Sequence, residues 1–326
     1  RLWTPDQPFL YRVRLSLLRA GRETDRVESY FGLRTFAVQP DENGTPYFLL
    51  NGRPYFQKGL LDQGYWPDGL YTAPSDEALI YDIQTMKNLG FNMIRKHVKV
   101  ETARWYYHCD RLGMIVWQDM VNGGTYNAPF MTWLPALFPK FKLHTSDRIH
   151  PLFGRKNVHG REEFIRECKE TVTALKAFPC ISTWVIFNEG WGQFDSKKLT
   201  ALFRELDDTR LIDSASGWFD RRQGDFKSEH NYFAKQFVTP SDRAFVISEY
   251  GGYTCQVKGH TCSGKTYGYK ICSSQEEFQA AYHKLMSEEI DPLKEQGLCG
   301  AVYTQLSDIE DEINGLMTYD REVCKL

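Results

Sequence analysis

The sequence predicts an α/β fold, a (β/α)8 barrel preceded by two strands of a truncated β-sandwich, on three observations. From residue 48 onward, short apolar runs alternate with amphipathic stretches. Eight such repeats match a barrel of about 250 residues. No Gly-x-Gly-x-x-Gly follows the first run, which disfavours an open, doubly wound sheet.

Phe9–Leu18 alternates apolar and polar residues with the period of a half-buried strand. Ala20-Gly21 turns the chain, and Val27–Val38 is a second strand-like run. Two strands alone are marginal, so residues 1–44 read as the end of a sandwich and 45–326 as the barrel. Barrel strands are expected at Tyr55–Gly59, Phe91–His97, Met114–Met120, Ile181–Glu189, Leu211–Ser216, Glu229–Phe233, Ala244–Glu249 and Gly300–Leu306. Ser75 or Asp76 caps a helix to Leu89, with Leu79, Ile80, Ile83 and Met86 on one face. Further helices are expected at Thr102–Leu112, Arg161–Phe178, 195–207 and Gln275–Ile290, with an irregular insertion over 121–160.

Forty basic residues against 42 acidic ones give a net charge of −2, which excludes a strongly basic nucleic-acid binder. No apolar stretch reaches the roughly 18 residues of a spanning helix. The spacing of Cys255, Cys262 and Cys272 around His260 does not match a zinc site, and the acidic stretch Asp308–Glu312 reads as a solvated loop face rather than a cation site. The scattered cysteines point to the cytoplasm, with secretion or the periplasm as alternatives. The chain opens Arg1-Leu2-Trp3, without an initiator Met, and reads as a piece of something longer.

Barrel enzymes carry their reacting groups at the C-terminal ends of strands. Glu189 ends the run Trp184–Phe187 through Asn188, and Glu249 ends Phe245–Ser248; a Gly follows closely in both cases. A carboxylate after a buried run costs desolvation unless something uses it. Two of them facing one pocket suit glycosidic bond cleavage, one as acid and base and the other as nucleophile. A retaining enzyme needs the pair roughly 5–5.5 Å apart, which strands four and seven across a small lumen can provide. Weaker strand-end candidates for binding sugar are Asp62, Trp66, His97, Asp119 and Trp218.

Asn188-Glu189-Gly190-Trp191, with Ser248-Glu249-Tyr250-Gly251 further on, resembles glycoside hydrolase family 2. Tyr30-Phe31-Gly32-Leu33-Arg34, Leu49-Leu50-Asn51-Gly52-Arg53-Pro54 and Gly90-Phe91-Asn92-Met93-Ile94-Arg95 extend the resemblance over nearly the whole chain. It implies Glu189 as general acid/base, Asn188 on the sugar 2-hydroxyl and Glu249 as nucleophile. Arg95 and Tyr232 are the expected donors to Glu249, and His230 joins the binding residues. The implied activity is that of a retaining, β-galactosidase-like glycosidase. β-Glucuronidase or β-mannosidase specificity, a metal-dependent hydrolase, and a non-catalytic carbohydrate-binding barrel are the alternatives. The implied partners are a glycoside or oligosaccharide and the preceding domains of the same polypeptide. No metal, cofactor, nucleic acid or membrane is called for.

Two departures matter. Ala301-Val302-Tyr303-Thr304-Gln305 lacks the Trp that family members often carry at the end of strand eight. Residues 250–275 lack the Asn-x-Lys associated with glucuronidases, which argues against a uronic acid. Aromatics are 14% of the chain. Phe91, Phe187 and Phe245 are expected inside the barrel, whereas Trp66, Trp191, Trp218, Tyr232 and Tyr250 are expected beside the sugar.

Overall fold

The computed structural model describes residues 1–133, 146–262, 264, 265 and 267–326, so part of the expected 121–160 insertion lies outside the described residues. The chain begins as an antiparallel ribbon, β1 (Tyr11–Arg19) and β2 (Arg22–Phe31), turning at Ala20-Gly21. The expected strand over 27–38 is two elements. β2 stops at Phe31, and β3 (Phe36–Pro40) pairs with β4 (Pro46–Leu50), which pairs with β5 (Arg53–Pro54). The expected domain boundary at 44/45 falls in the turn between β3 and β4.

The break after Phe31 has a packing cause. A Cβ on Gly32 would lie 3.0 Å from Pro179, and the backbone there bonds outside any ladder. The Leu33 carbonyl accepts from the Trp3 N–H at 2.7 Å, and the Thr35 N–H donates to the Asn51 side chain at 2.9 Å. Arg34 then reaches the base of the barrel, donating to the carbonyls of Pro179 (3.0 Å) and Thr209 (3.3 Å). The ribbon itself has no buried face: Leu15, Leu17 and Leu18 are 61%, 64% and 62% exposed. Alternation sets which way side chains point, but burial needs a second layer; Leu10 packs partly against the barrel core, and none covers Arg14–Leu18 among the described residues.

The barrel strands are β6 (Gln57–Asp62), β7 (Met93–Lys96), β8 (Ile115–Asp119), β9 (Ile181–Val185), β10 (Leu211–Asp213), β11 (Phe226–Asn231) and β12 (Ala244–Gly251). After a short parallel pair, β13 (Tyr253–Cys255) and β14 (Lys270–Cys272), comes the last, β15 (Leu298–Thr304). They form one sheet in the order β10-β9-β8-β7-β6-β15-β12-β11, every ladder parallel. The two end strands are tied by a side chain: the Ser228 hydroxyl on β11 donates to the Asp213 carboxylate on β10. The sheet is thus a nearly closed barrel. Its strands read as short apolar runs because both faces are buried, and Phe91, Phe187 and Phe245 are core residues as expected.

Helices cover the outside. The first, Asp76–Asn88, is N-capped by Ser75, whose Oγ accepts from the Ala78 N–H at 3.2 Å. Others run Ala103–Leu112, Val158–Leu175, Ser196–Leu206 and Gln275–Leu285, the last continuing as a π-helical turn over Met286–Ile290. Among the described residues no helix is long and apolar enough to cross a membrane. The eight cysteines are free thiols, with Cys255 and Cys272 opposite one another on β13 and β14.

One loop reading needs correction. Asp308 is not on a solvated face: it is buried and accepts from the Lys325 ammonium at 2.6 Å. Burial pushes its carboxyl up to about 6, against the attraction of Lys325. Removing one partner of a buried pair strands the other charge. Lys325→Met should therefore cost about 3–5 kcal/mol in urea unfolding, and a loss below about 1 kcal/mol would show that Asp308 does not depend on it.

Candidate active site

The C-terminal ends of β7, β8, β9, β11 and β12 converge on one polar cluster. After Val185 the chain leaves β9 but stays beside β10, with Asn188 bridged to Ser216 and the Glu189 N–H donating to the Ser216 carbonyl at 3.0 Å. Glu189 itself is left-handed, φ +52°, a conformation rare for a residue with a side chain. Gly190 follows at φ +73°, where a Cβ would lie 2.3 Å from the Phe219 ring. This tight turn lifts the Glu189 carboxyl over the barrel end.

On the other side, the ladders flanking β12 slip. The β11 register shifts between Glu229 and His230, which brings His230 opposite Glu249, and the β15 ladder shifts between Ile247 and Tyr250. Such bulges re-aim side chains. Here they point Glu249 toward Glu189.

The two carboxyl groups and the His230 ring have ligand-type atoms within 4.8 Å of one another. His230 Nδ1 is 2.9 Å from Glu189 Oε1, and its Nε2 is 3.1 Å from Ser216 Oγ and 3.6 Å from Glu249 Oε1. Arg95, fully buried on β7, grips Asp119 with a two-pronged bond of 3.0 Å on each prong. The same guanidinium donates to Glu249 Oε1 at 3.1 Å and to Asn188 Oδ1 at 2.8 Å. The Tyr232 hydroxyl donates to Glu249 Oε2. Arg95 occupies the Asn188 oxygen, which leaves the Asn188 NH2 as the group able to meet a ligand.

The electrostatics differ from group to group. Burial pushes Glu189 up to about 7, with the charges of His97 and Arg95 opposing, although 24% of its side chain is still exposed. Burial drives His230 down to about 3. Burial would raise Asp119, but the Arg95 charge and the bond to His97 Nδ1 hold it below the usual carboxylate range.

Of the sequence candidates, Asn188, Glu189, Arg95, His97, Asp119, His230, Tyr232 and Glu249 are brought together. Trp218 stands edge-on to His230, ring centres 5.8 Å apart, so it borders the cluster. Asp62 and Trp66 do not join it. Asp62 spends its carboxylate on the Lys96 ammonium and the Gly64 N–H, and Trp66 is buried beneath Arg321, 4.1 Å from its ring centre. Tyr250 is also misplaced by the sequence reading. Neighbours on a strand face opposite ways, so it points outward, bonding Met286 Sδ at 3.2 Å and packing on Tyr303. Trp191 packs on Tyr126. Sequence reasoning missed Ser216, which sits under His230, and Tyr269, which stacks on Tyr232 with ring centres 3.9 Å apart. A loop aromatic such as Tyr269 carries no signal of its own in the sequence.

Glu189, His230 and Glu249 are spaced closely enough to hold a metal ion, as are His260, Asp320 and Glu322. In the first set the Arg95 guanidinium already supplies a positive charge beside Glu249. No described cysteine belongs to either set: Cys255 and Cys272 are in the β13–β14 ladder, and Cys262 donates to the Glu310 carbonyl.

An unfolded histidine takes its proton near pH 6.5, the folded His230 only near 3. Its burial as a neutral ring therefore stabilises the fold fully above about 6.5, and that contribution is lost as pH falls toward 3. The imidazole 15N shifts of His230 should stay those of a neutral ring between about pH 5 and 8. A titration in that window would contradict this picture.

Comparisons with known proteins identify the family of the chain. The family described as "Glycosyl hydrolases family 2, TIM barrel domain" matches residues 45–325, and "Glycosyl hydrolases family 2" matches residues 1–34. A putative beta-glucuronidase of Formosa agariphila is 25% identical over 67% of this chain and 18% of its own length. A beta-galactosidase of Priestia megaterium is 24% identical over 82% of this chain and 24% of its own. Among solved structures, the GH2 beta-galacturonidase of Eisenbergiella tayi bound to galacturonate superposes with a TM-score of 0.69 at 18% identity, covering 98% of this chain and 57% of that one. An FMN-binding beta-glucuronidase from Facaelibacterium prausnitzii L2-6 gives 0.72 at 22% identity, over 99% and 50%. The chain thus spans a quarter or less of these curated relatives' lengths. With the family match running through nearly the whole barrel, the chain belongs to glycosyl hydrolase family 2.

Proposed function

We propose that the protein is a retaining glycosidase of β-galactosidase type, with Glu189 as acid/base and Glu249 as nucleophile. The observation that carries this reading is the pair of strand-end carboxyl groups within 4.8 Å of each other. That spacing suits direct attack, whereas an inverting enzyme leaves roughly 6.5–9.5 Å for a water.

In the first step the Glu189 proton passes to the glycosidic oxygen as the bond from C1 to that oxygen breaks. A Glu249 oxygen bonds C1 in the same displacement. In the second, the Glu189 carboxylate takes a proton from water, the water oxygen bonds C1, and the C1–Glu249 bond breaks. One water is consumed and both side chains return to their starting forms. A group sitting at about 7 is suited to give and take a proton near neutrality. Arg95 and Tyr232, each bonded to a different Glu249 oxygen, fix the direction of its carboxylate. In this reading the Asn188 NH2, left over once Arg95 takes the Asn188 oxygen, donates to the sugar 2-hydroxyl. Relatives named as galactosidases and the missing Asn-x-Lys support a neutral sugar.

Glu189→Gln and Glu249→Gln should each lower turnover of an aryl β-galactoside by at least ~10³-fold. A 2-fluoro galactoside should leave a covalent sugar on Glu249, seen by peptide mass spectrometry. Unchanged rates in both variants would overturn the assignment. Because the acid must carry its proton, kcat/KM should fall as pH rises through about 7. A profile flat to pH ~9 would remove Glu189 from that role.

A further inference from the structure

Glu312, in the loop after β15, belongs to no step described so far. Its Oε2 accepts from Gln63 Nε2 at 2.8 Å and from Gln305 Nε2 at 3.1 Å. Gln63 directly follows β6 and Gln305 directly follows β15, so the cluster sits where those neighbouring strands open at the catalytic end of the barrel. Thr304, the residue before Gln305, has its Oγ1 3.4 Å from the Tyr232 hydroxyl that holds Glu249. The Glu312 carboxyl lies near enough to the catalytic cluster for its charge to interact with those of His97 and Glu249.

The amide donors that face Glu312 are already used, and the buried Asn314 Nδ2 beside them is the one amide donor of this cluster without a partner among the described residues. Gln63 Nε2 serves Glu312 and the Gln305 oxygen, and Gln305 Nε2 serves Glu312 and Asn314 Oδ1. The buried cations at the ends of β6 and β7 are committed too. Lys96 is paired with Asp62 and Glu101, Lys99 with Glu101 and the Gly64 carbonyl, and Arg95 with Asp119 and Glu249. Among the described residues, then, this wall offers acceptors, a carboxylate and the neutral Asn314 amide, with no unpaired cation.

The shape of a pyranose decides what meets this wall. C2 and the ring oxygen flank C1 on opposite sides, and C5 with its substituent lies beyond the ring oxygen. If the 2-hydroxyl meets Asn188 after β9, the C5 substituent points toward the far side of the barrel. In the sheet order, β15 is four strands from β9. We propose that Glu312, braced by Gln63 and Gln305, makes the site selective for a neutral hexopyranoside, accepting a hydroxyl from the C5 side and repelling a hexuronate carboxylate. The proposal rests on the orientation of the sugar in the proposed function, and it identifies a side chain that sets the substrate class. Like charges brought together in a partly buried site disfavour the ionised pair. A hydroxymethyl group instead donates a hydrogen bond to the carboxylate.

The test measures binding and turnover separately. Calorimetry on the protein should show galactose bound at least ~10-fold more tightly than galacturonate at pH 7, and the ratio of kcat/KM for the aryl β-galactoside over the aryl β-galacturonide should be at least as large. Glu312→Gln, which keeps the amide-sized side chain, should shrink both ratios about tenfold or more while the thermal midpoint is retained. In the unsubstituted protein, galacturonate binding relative to galactose should strengthen as pH falls, since burial raises the Glu312 carboxyl and its protonation removes the repulsion. Equal binding of the two sugars at pH 7, or ratios untouched by Glu312→Gln, would overturn the proposal. Glu312-dependent binding selectivity without turnover of either glycoside would uphold it and instead overturn the hydrolase reading.

Discussion

The Arg95 guanidinium is the interaction on which the rest of the site depends. It lies fully buried at the catalytic end of the barrel, bonded to Asp119, Glu249, Asn188 and the Ser248 carbonyl. Burying such a cation is costly unless its partners compensate, and here they come from β8, β12 and the segment after β9 together. The cost has a structural return. One planar fork fixes, relative to each other, three side chains that the chain supplies from separate parts of the barrel. Glu249 and Asn188 are held by the same rigid group, so the distance between attacking oxygen and hydroxyl donor does not depend on flexible loops.

Around that centre, environment divides two identical carboxylic acids. Glu189 has a histidine at 2.9 Å whose ring burial keeps neutral, and no formal positive charge bonded to it. Glu249 has the guanidinium and a phenol. The difference arises from strand geometry: the left-handed turn at Glu189 carries its carboxyl away from Arg95, whereas the slipped ladders around β12 turn Glu249 into it. Backbone irregularities at two strand ends thus set the chemistry of two side chains of the same type.

Much of this was legible before the fold was known, for a physical reason. A polar residue at the end of an apolar strand is conspicuous, so Glu189, Glu249, Asp119 and His97 could be picked from the sequence, and the family resemblance added Arg95 and Tyr232 as donors to Glu249. The errors have equally physical causes. Asp62 and Asp308 are strand-end or loop acids neutralised by Lys96 and Lys325, partners the sequence does not point out. Tyr250 follows Glu249 and so faces the other way. The second strand was read through a break because Val27–Val38 stays apolar across Gly32, where contact with Pro179 intervenes. Glu312 and Gln63 are 249 positions apart, and only closure of the barrel between its first and last strands makes them neighbours.

The stack of Tyr269 on Tyr232 joins two parts of the molecule that otherwise look independent. Tyr232 has one end on the Glu249 carboxylate and one face against a ring from the loop between β13 and β14. That loop also fills the space over Gly252, where a Cβ would lie 2.4 Å from the Tyr269 ring. Rotation of Tyr232 away from Glu249 would break that stack. The place of the Tyr269 ring and the orientation of an inner oxygen are thus joined through a single stacked pair.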